Sequence, residues 1–168
     1  MSSVLCLAKA DQRSQVIAEQ IHRVQMLAYT QEARLLGAID FPPLRRTVED
    51  IRTCDEEFFV AMVGEELVGA ISVWPDPDGT GMNVASLVVA PSFQRRGIGR
   101  RLMTEVVQRY GDGALTVQTG ARNEPALKLY SQLGFAEIRR WLVGREPLEL
   151  VKLLRTPPTA ASVAQNAS

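Results

Sequence analysis

Two glycines and four arginines lie within eight residues, directly after an apolar run, and this spacing could bind phosphate. The segment reads Gln94-Arg95-Arg96-Gly97-Ile98-Gly99-Arg100-Arg101. Glycines let a backbone approach a ligand closely, and the first N–H groups of a helix have no partners within that helix. With the positive end of the helix dipole and the forked arginine donors, they form a site for phosphate. The alternative is a tight turn followed by a solvated basic helix face.

Two other phosphate-binding motifs fit this segment poorly. A dinucleotide-binding fingerprint needs a third glycine and a strand-helix-strand unit at the start of the chain, and both are absent. A Walker-type loop needs Gly-Lys-Ser/Thr, which does not follow the glycines. The first motif is therefore disfavoured and the second is excluded.

The remaining reactive side chains and the composition narrow the function further. Cys6 and Cys54 are the only thiols, belong to no CxxC pair, and are expected to be free in a reducing cytosol. With His22 as the single histidine, they cannot form a conventional zinc site, so no metal is expected. Nineteen basic residues balance nineteen acidic ones, which argues against a nucleic-acid-binding surface. No apolar run suits a membrane span and the N-terminus does not resemble a secretory signal, so we expect a cytoplasmic protein.

Hydrophobic spacing predicts the elements that precede the glycine-arginine segment. Residues 4–8 predict a strand, and Asp11 is the expected N-cap of a helix with apolar residues at helical spacing up to Ala28. The pattern breaks between residues 29 and 44, which form either a lid over a substrate pocket or a surface connection. A short helix is expected to start near Thr47.

The rest of the chain predicts a mixed sheet. A hairpin over residues 58–63 and 67–74 is followed by a turn and a third antiparallel strand, 83–89. Helices are expected over 97–110 and from Asn123 to Gly134, with a strand at 114–119 between them and a final strand pair at 138–143 and 148–154. The strand-helix-strand unit over 83–119 requires a right-handed crossover to a parallel neighbour.

This order of elements predicts the α+β class, with a mixed, mostly antiparallel central sheet and helices on both faces. We expect a single domain over residues 1–155. The composition of residues 156–168, in which Pro, Ala and Ser are common, predicts a disordered tail.

Two motifs, in their predicted structural context, resemble the GNAT N-acetyltransferases. Gln94, Gly97 and Gly99 match the family's pyrophosphate-binding pattern of Gln or Arg, two residues, Gly, one residue, then Gly or Ala. The family's Asn-x-x-Ala-x-x-x-Tyr-x-x-x-Gly-Phe stretch is matched by Asn123, Ala126, Tyr130, Gly134 and Phe135. The resemblance covers residues 58–154 well and the first 55 residues only by element order. It implies the acyl-CoA N-acyltransferase fold and an acetyl-CoA-dependent enzyme.

The resemblance also implies a site for acetyl-CoA between the strands at 87–89 and 114–119, which splay apart. The pantetheine arm would be bound by backbone groups of Leu87, Val88 and Val89. An N–H near Val88 would polarise the thioester carbonyl as an oxyanion donor. The pyrophosphate would be held by Gln94 and by the backbone amides of the residues that follow it, Arg95, Arg96, Gly97, Ile98, Gly99 and Arg100. Asn123 would bind the pantetheine or cap its own helix.

Tyr130 is the catalytic residue that the resemblance implies. After an amine attacks acetyl-CoA, coenzyme A leaves as a thiolate that needs a proton. A phenol with a pKa of ~10 stays protonated at neutral pH and can bind or protonate a thiolate whose parent thiol has a pKa of ~8.5. The alternative is an ordinary core residue on the apolar side of its helix.

The base that deprotonates the amine stays open. Family members that acetylate protein N-termini often carry a Glu five residues ahead of the Asn, but Gln118 stands at that position and cannot act as a base. That departure counts against the type that acetylates ribosomal proteins. A water chain, or a carboxylate such as Glu57 or Glu32, remains as the proton route.

Three segments are expected to line the acceptor pocket: residues 29–44, 75–81 and 141–147. They carry five acids against two bases, namely Glu32, Asp40, Asp76, Asp78 and Glu146 against Arg34 and Arg145. Such a pocket favours a small or basic primary amine, which would attack acetyl-CoA directly in a ternary complex. The alternatives are a protein or peptide amine as acceptor, or a non-catalytic CoA-binding sensor domain. A homodimer is left open.

Overall fold

A single seven-stranded sheet organises the protein, which a computed structural model describes for residues 3–158. The strands are Leu5–Ala10 (β1), Glu57–Val63 (β2), Glu66–Pro75 (β3), Met82–Val89 (β4), Leu115–Gly120 (β5), Ala136–Val143 (β6) and Leu148–Arg155 (β7). In the sheet they follow the order β1-β2-β3-β4-β5-β7-β6. The helices are Gln15–Leu36 (α1), Val48–Thr53 (α2), Ile98–Tyr110 (α3) and Glu124–Gln132 (α4). The expected α+β class is confirmed.

Helices cover both faces of the sheet, because buried strands carry apolar side chains on both sides. On β2, Phe58 packs into the core beneath α1 and α2, whereas its neighbour Phe59 packs into the core beneath α3 and α4. Both rings are essentially inaccessible to solvent. Successive strand residues point to opposite faces, so this pair of phenylalanines joins the two layers.

The β4–β5 pair is the one parallel pair in the described sheet, as the crossover through α3 predicts. It contains only three register pairs, which end at Val84 and Val117. Just beyond, the β3–β4 register skips Ala85, a bulge that bends β4. Residues 85–89 and 118–120 therefore diverge and leave an opening at the carboxyl ends of both strands.

Helix α1 departs from the sequence prediction at both ends. It begins after Ser14 and not at Asp11, whose carboxylate accepts a hydrogen bond from the Arg13 N–H at 3.1 Å in the preceding turn. It also continues to Leu36, so the expected break at residue 29 is wrong. Tyr29, Ala33 and Leu36 extend its buried face, and this packing outweighs the weak local pattern.

Several local signals are confirmed. The short helix expected near Thr47 is α2, which begins with a capping box of Thr47 and Asp50, and the hairpin between β2 and β3 turns at Gly64. Helix α3 follows Gly97, and Gly134 has a positive φ just after α4. These signals depend on residues within one or two turns of each other, so a single sequence reveals them.

The described part of the chain ends without regular structure at residues 156–158, and the rest of the expected disordered tail, residues 159–168, lies outside it. Within residues 3–158, no helix combines the length and apolarity needed to cross a bilayer. Over the same residues, no group of three or more His, Cys, Asp or Glu side chains could hold a metal ion.

A buried polar network closes the other end of the β4–β5 pair. Lys152 and Asp76 are 5% and 9% exposed, and the Lys152 Nζ lies 3.3 Å from an Asp76 carboxylate oxygen and 3.1 Å from one of Asp78. Thr116 on β5 donates to Asp76 at 2.9 Å and accepts from Asn83 on β4, also at 2.9 Å. The network ties β4, β5 and β7 together where the strands are still paired.

Lys152→Met should destabilise the fold, because Asp76 would keep a buried charge without its cation. We expect the free energy of unfolding to fall by about 3 kcal/mol, the low end of the range for breaking a buried ion pair. The low end is expected because Asp78, the second partner of Lys152, is exposed to solvent and loses little. Urea denaturation measures the loss. The matched control is Arg140→Met, whose ion pairs with Glu137 and Glu149 are exposed and should matter little. Equal stability of the two variants would contradict a structural role for the network.

Candidate active site

The opening between β4 and β5 forms a cleft of about 700 Å³. One wall is the start of α3 with α4, and the opposite wall is α1 with the short 3₁₀ turn Pro42–Arg45. The cleft is lined by Leu87, Val88, Val89, Gln94, Arg95, Gly97, Ile98, Gly99, Arg100, Asn123 and Tyr130, among other residues. The structure thus brings the predicted site residues together, with the exception of the Arg96 side chain.

The divergence of the strands frees backbone groups of β4. The Ala90 N–H donates to Val68 O on β3 at 2.8 Å, so Ser86 and Val88, which share its direction, also face β3. By the two-residue alternation of a strand, the N–H groups of Leu87 and Val89 face the gap. The expected donor near Val88 is therefore the N–H of one of its two neighbours. A ligand in the gap can extend the sheet through these groups.

The loop before α3 turns its amides outward. Gly97 has φ 77°, and Arg95 is the only described non-glycine residue with a positive φ, at 63°. Left-handed residues within a turn direct successive N–H groups into one concavity that binds anions. The first intrahelical bond runs from Arg101 N to Gly97 O at 3.0 Å, so the N–H groups of residues 98–100 have no partner within the helix.

The arginine side chains of this loop differ in position. Arg95 and Arg100 line the cleft, and Arg100 also donates a hydrogen bond to Gln132 on α4. Arg96 instead stacks over the Phe93 ring, 4.9 Å from its centroid, and donates to Ser92 O at 3.4 Å. Its guanidinium lies outside the cleft lining, so any contribution of Arg96 to anion binding comes from its backbone.

Two side chains of the motifs reach across the opening to α1. The Gln94 amide donates to Val89 O at 3.1 Å and to Gln31 Oε1 at 2.6 Å. Asn123 caps α4 by accepting from the Ala126 N–H at 3.3 Å, and its amide nitrogen donates to Glu32 at 3.5 Å. The capping role of Asn123, which the sequence left as one of two options, is thus present.

Tyr130 is both a core residue and a residue of the cleft, the two alternatives that its sequence position suggested. Its ring is buried at 5% exposure and packs against Phe135, with 5.8 Å between the centroids. Its side chain also lines the cleft, and its hydroxyl makes no hydrogen bond to any residue in 3–158. Burial raises the pKa of Tyr130, and the nearby carboxylate of Glu32 raises it further. The phenol therefore keeps its proton at neutral pH.

The structure separates the carboxylates that the sequence offered as bases. Glu57 accepts a hydrogen bond from the Tyr110 hydroxyl and does not line the cleft. Glu32 lines the cleft, and burial raises its pKa although the Asn123 hydrogen bond lowers it. Gln118 also lines the cleft and is exposed. Glu32 is the one carboxylate among the described lining residues.

A buried polar cluster beside the cleft has no signal in the sequence. The hydroxyl groups of Tyr29 and Ser86 are hydrogen-bonded at 2.6 Å, and the Gln25 amide nitrogen lies 3.4 Å from Ser86 Oγ. Because Tyr29 and Gln25 belong to α1 and Ser86 to β4, the cluster anchors the α1 wall to the diverging strand. Hydroxyl and amide side chains 57 and 61 residues apart carry no local pattern that would predict their contact.

Of the five acids predicted for the acceptor pocket, only Glu32 lines this cleft. Asp76 and Asp78 bind Lys152 at the closed end of β4, away from the cleft. Arg145 and Glu146 lie in the turn between β6 and β7, which does not line the cleft, and Asp40 is an exposed partner of Arg45. Residues 75–81 lie at the opposite end of the β4–β5 pair, whereas residues 29–44 supply part of the lining and the β6–β7 turn lies at the same end of the sheet as Gly120.

Comparisons with known proteins agree with this geometry. The family model described as acetyltransferase (GNAT) family matches residues 19–135. The UPF0157 protein YqkA of Bacillus subtilis is 35% identical over 120 residues, which cover 71% of this chain and 34% of that protein. The N-alpha-acetyltransferase 30 of Homo sapiens is 36% identical over 107 residues, which cover 58% of this chain and 30% of that protein. The chain therefore spans about a third of the length of these curated relatives.

The fold is also found among solved structures. The crystal structure of the ribosomal-protein-S18-alanine N-acetyltransferase from Escherichia coli superposes with a TM-score of 0.71. The superposition covers 94% of this chain and 96% of that chain at 14% identity, a likeness of fold.

Gly99→Glu should abolish the binding of coenzyme A and leave the fold intact. A Cβ at Gly99 would meet only ordinary contacts at 3.8 Å, whereas the carboxylate would repel a pyrophosphate at the start of α3. At a hundred times its dissociation constant, acetyl-CoA should stabilise the native protein by about 2.7 kcal/mol. The expected thermal shift is roughly 5–10 °C, and it should vanish in the variant.

The control for this substitution is Gly113→Glu. Gly113 is exposed in the loop between α3 and β5, where an added Cβ would have one neighbour at 3.9 Å. This variant should retain the full shift. A shift retained by Gly99→Glu, or one produced equally by ATP or NAD, would contradict the assignment of the loop.

Proposed function

This chain belongs to the acetyltransferase (GNAT) family, and we propose that it transfers the acetyl group of acetyl-CoA to a primary amine by direct attack in a ternary complex. One observation carries the proposal. The outward amides before α3, the gap-facing N–H groups of β4, the Tyr130 hydroxyl and the Glu32 carboxylate all converge on one cleft. Both Tyr130 and Glu32 have upward-shifted pKa values, as is common for groups that move protons.

The residues present fit acetyl-CoA as a substrate. The concavity formed by Arg95 and Gly97, with the free amides of residues 98–100, suits a pyrophosphate. The backbone groups of Leu87 and Val89 suit the amides of a pantetheine arm, which would take the place of a neighbouring strand. Arg95 and Arg100 supply charge at the same edge of the cleft.

The transfer forms a carbon–nitrogen bond and breaks a carbon–sulfur bond. As the amine nitrogen attacks the thioester carbon, negative charge develops on the thioester oxygen. An N–H of Leu87 or Val89 faces the gap and can stabilise that charge, because its position is fixed by the β3–β4 pairing. When the carbon–sulfur bond breaks, the charge passes to the sulfur of coenzyme A.

Tyr130 is the proposed acid for the departing thiolate. Tyr130 lines the cleft, and its raised pKa keeps the phenol protonated, so that the hydroxyl can donate a hydrogen bond to the thiolate as negative charge develops on the sulfur. The tight packing of the ring against Phe135 fixes the direction of the hydroxyl.

Glu32 is the proposed base for the acceptor. An aliphatic amine with a pKa of ~10 arrives as an ammonium and must lose a proton before attack. A half-buried carboxylate binds the cation and, because burial raises its pKa, is a better proton acceptor than a solvated one. Gln118 occupies the cleft on the β5 side and can supply only hydrogen bonds.

The charges of the cleft give little support to a polybasic acceptor. The earlier preference for a small or basic amine counted five acids, of which only Glu32 lines the cleft. The named activity of the human relative is N-alpha-acetylation, and that of the Escherichia coli protein is acetylation of an alanine in ribosomal protein S18. These names support a protein or peptide amine at least as well as a small amine. A non-catalytic sensor domain would have no need of Tyr130 and Glu32 in the cleft.

Tyr130→Phe should lower kcat by about 10²-fold or more, since it keeps the ring and removes the proton. Acetyl-CoA binding should be nearly unchanged, because the pyrophosphate loop is untouched. Release of free thiol with a broad set of amines measures the rate. Tyr110→Phe, which changes a tyrosine outside the cleft, is the matched control and should retain the rate. A fully active Tyr130→Phe would reduce Tyr130 to a packing residue.

Glu32→Gln should lower kcat/KM by about 10²-fold and change its pH dependence. A base works only when deprotonated, so wild-type activity should fall as the pH drops through the raised pKa of Glu32. In the variant, only titration of the amine itself should remain on the acidic side of the profile. Glu57→Gln, which alters a carboxylate outside the cleft, should leave rate and profile intact. Identical profiles for Glu32→Gln and wild type would rule Glu32 out as the base.

A further inference from the structure

The acceptor wall of the cleft combines one charge with an apolar surface. Its described lining comes from α1 and from the following 3₁₀ turn: Ala28, Tyr29, Gln31, Glu32, Leu35, Phe41 and Pro43. Glu32 is the one acid in this set, and the set contains no Lys or Arg. A single ammonium can therefore be matched by charge, and a second cation on the same acceptor would meet neutral surface.

The apolar part of the wall has a fixed shape. Tyr29 and Phe41 pack edge to face, with 6.2 Å between the ring centroids and 74° between the planes. Tyr29 is also held by Ser86 at 2.6 Å. Leu35 stands one helical turn after Glu32 and is 50% exposed, so it presents an unpacked apolar side chain beside the carboxylate.

We infer that the acceptor is a primary amine with a large apolar side chain on the carbon that bears the amino group. The ammonium binds Glu32, and the apolar group covers Leu35 and Phe41. This inference rests on the proposed function and names the acceptor class of the same site. A free amine and the N-terminus of a peptide share this chemistry, so the test must distinguish the two.

The test compares acceptors that differ only beside the amine. With acetyl-CoA and the full chain, thiol release is measured for glycinamide, leucinamide, phenylalaninamide and putrescine, and for tetrapeptides that begin with Gly or Leu. Burial of a leucine side chain in an apolar pocket should raise kcat/KM about tenfold or more over glycine. Putrescine, with its second cation, should be slower than leucinamide. Faster turnover of the Leu peptide than of leucinamide identifies a peptide source, and the reverse identifies a small amine.

A charge introduced on the wall should reverse this preference. Leu35→Glu should lower kcat/KM for leucinamide about tenfold and raise it for putrescine, because the apolar surface becomes a second anion. Leu27→Glu is the matched control: this leucine also lies on α1 and is 46% exposed, but it does not line the cleft. Leu27→Glu should keep the wild-type order of acceptors.

The outcomes separate the inference from the function on which it rests. Equal rates for glycinamide and leucinamide, or putrescine as the fastest acceptor of the wild type, overturn the inference and leave the acetyltransferase intact. The same effect of Leu35→Glu and Leu27→Glu also overturns it. If acetyl-CoA shifts the melting temperature but none of these amines is acetylated, both the proposed function and the inference are overturned.

Discussion

The site depends on the early end of hydrogen bonding between β4 and β5. A parallel pair in the middle of a sheet ordinarily satisfies the backbone groups of both strands, yet this pair stops at Val84 and Val117. The N–H groups of Leu87 and Val89 then face a gap, where water or a ligand must satisfy them. Every other feature of the site either creates this gap, keeps it open or fills its edges.

Different contacts hold the two ends of β4, so that the gap beside β5 stays open while the rest of the sheet remains paired. At the paired end, Lys152, Asp76 and Thr116 form a buried network that locks the register. At the open end, Ser86 is hydrogen-bonded to Tyr29 of α1. The diverging strand is therefore held by a helix on one face of the sheet and not by pairing with β5. At Gly120, an added Cβ would lie 2.5 Å from Leu36 Cδ2. The missing side chain lets the end of α1 close over β5 beside the gap.

The sequence predicted the parts of the site that are local in the chain. Turn glycines, the helix start near Thr47 and the Asn123 cap depend on residues close in sequence, and the two motifs place their residues on one wall of a single cleft. The extent of α1 was missed, because Tyr29 and Leu36 are helical partly through burial against distant strands. The charge of the acceptor wall was misjudged for a similar reason: charges on segments that were expected to share one pocket, such as Asp40 and Asp76, belong to surfaces that the fold separates.

The same desolvation explains how Tyr130 and Glu32 can take opposite roles in one cleft. Burial raises the pKa of both groups, and their mutual proximity raises that of Tyr130 further. Starting from ordinary values of ~10 and ~4.3, an upward shift keeps the phenol protonated and makes the carboxylate a better proton acceptor. Asn123 holds Glu32 on the α1 wall while it caps the helix that carries Tyr130. The acid and the base are thus attached to opposite walls of the gap, and the acetyl transfer would take place between them.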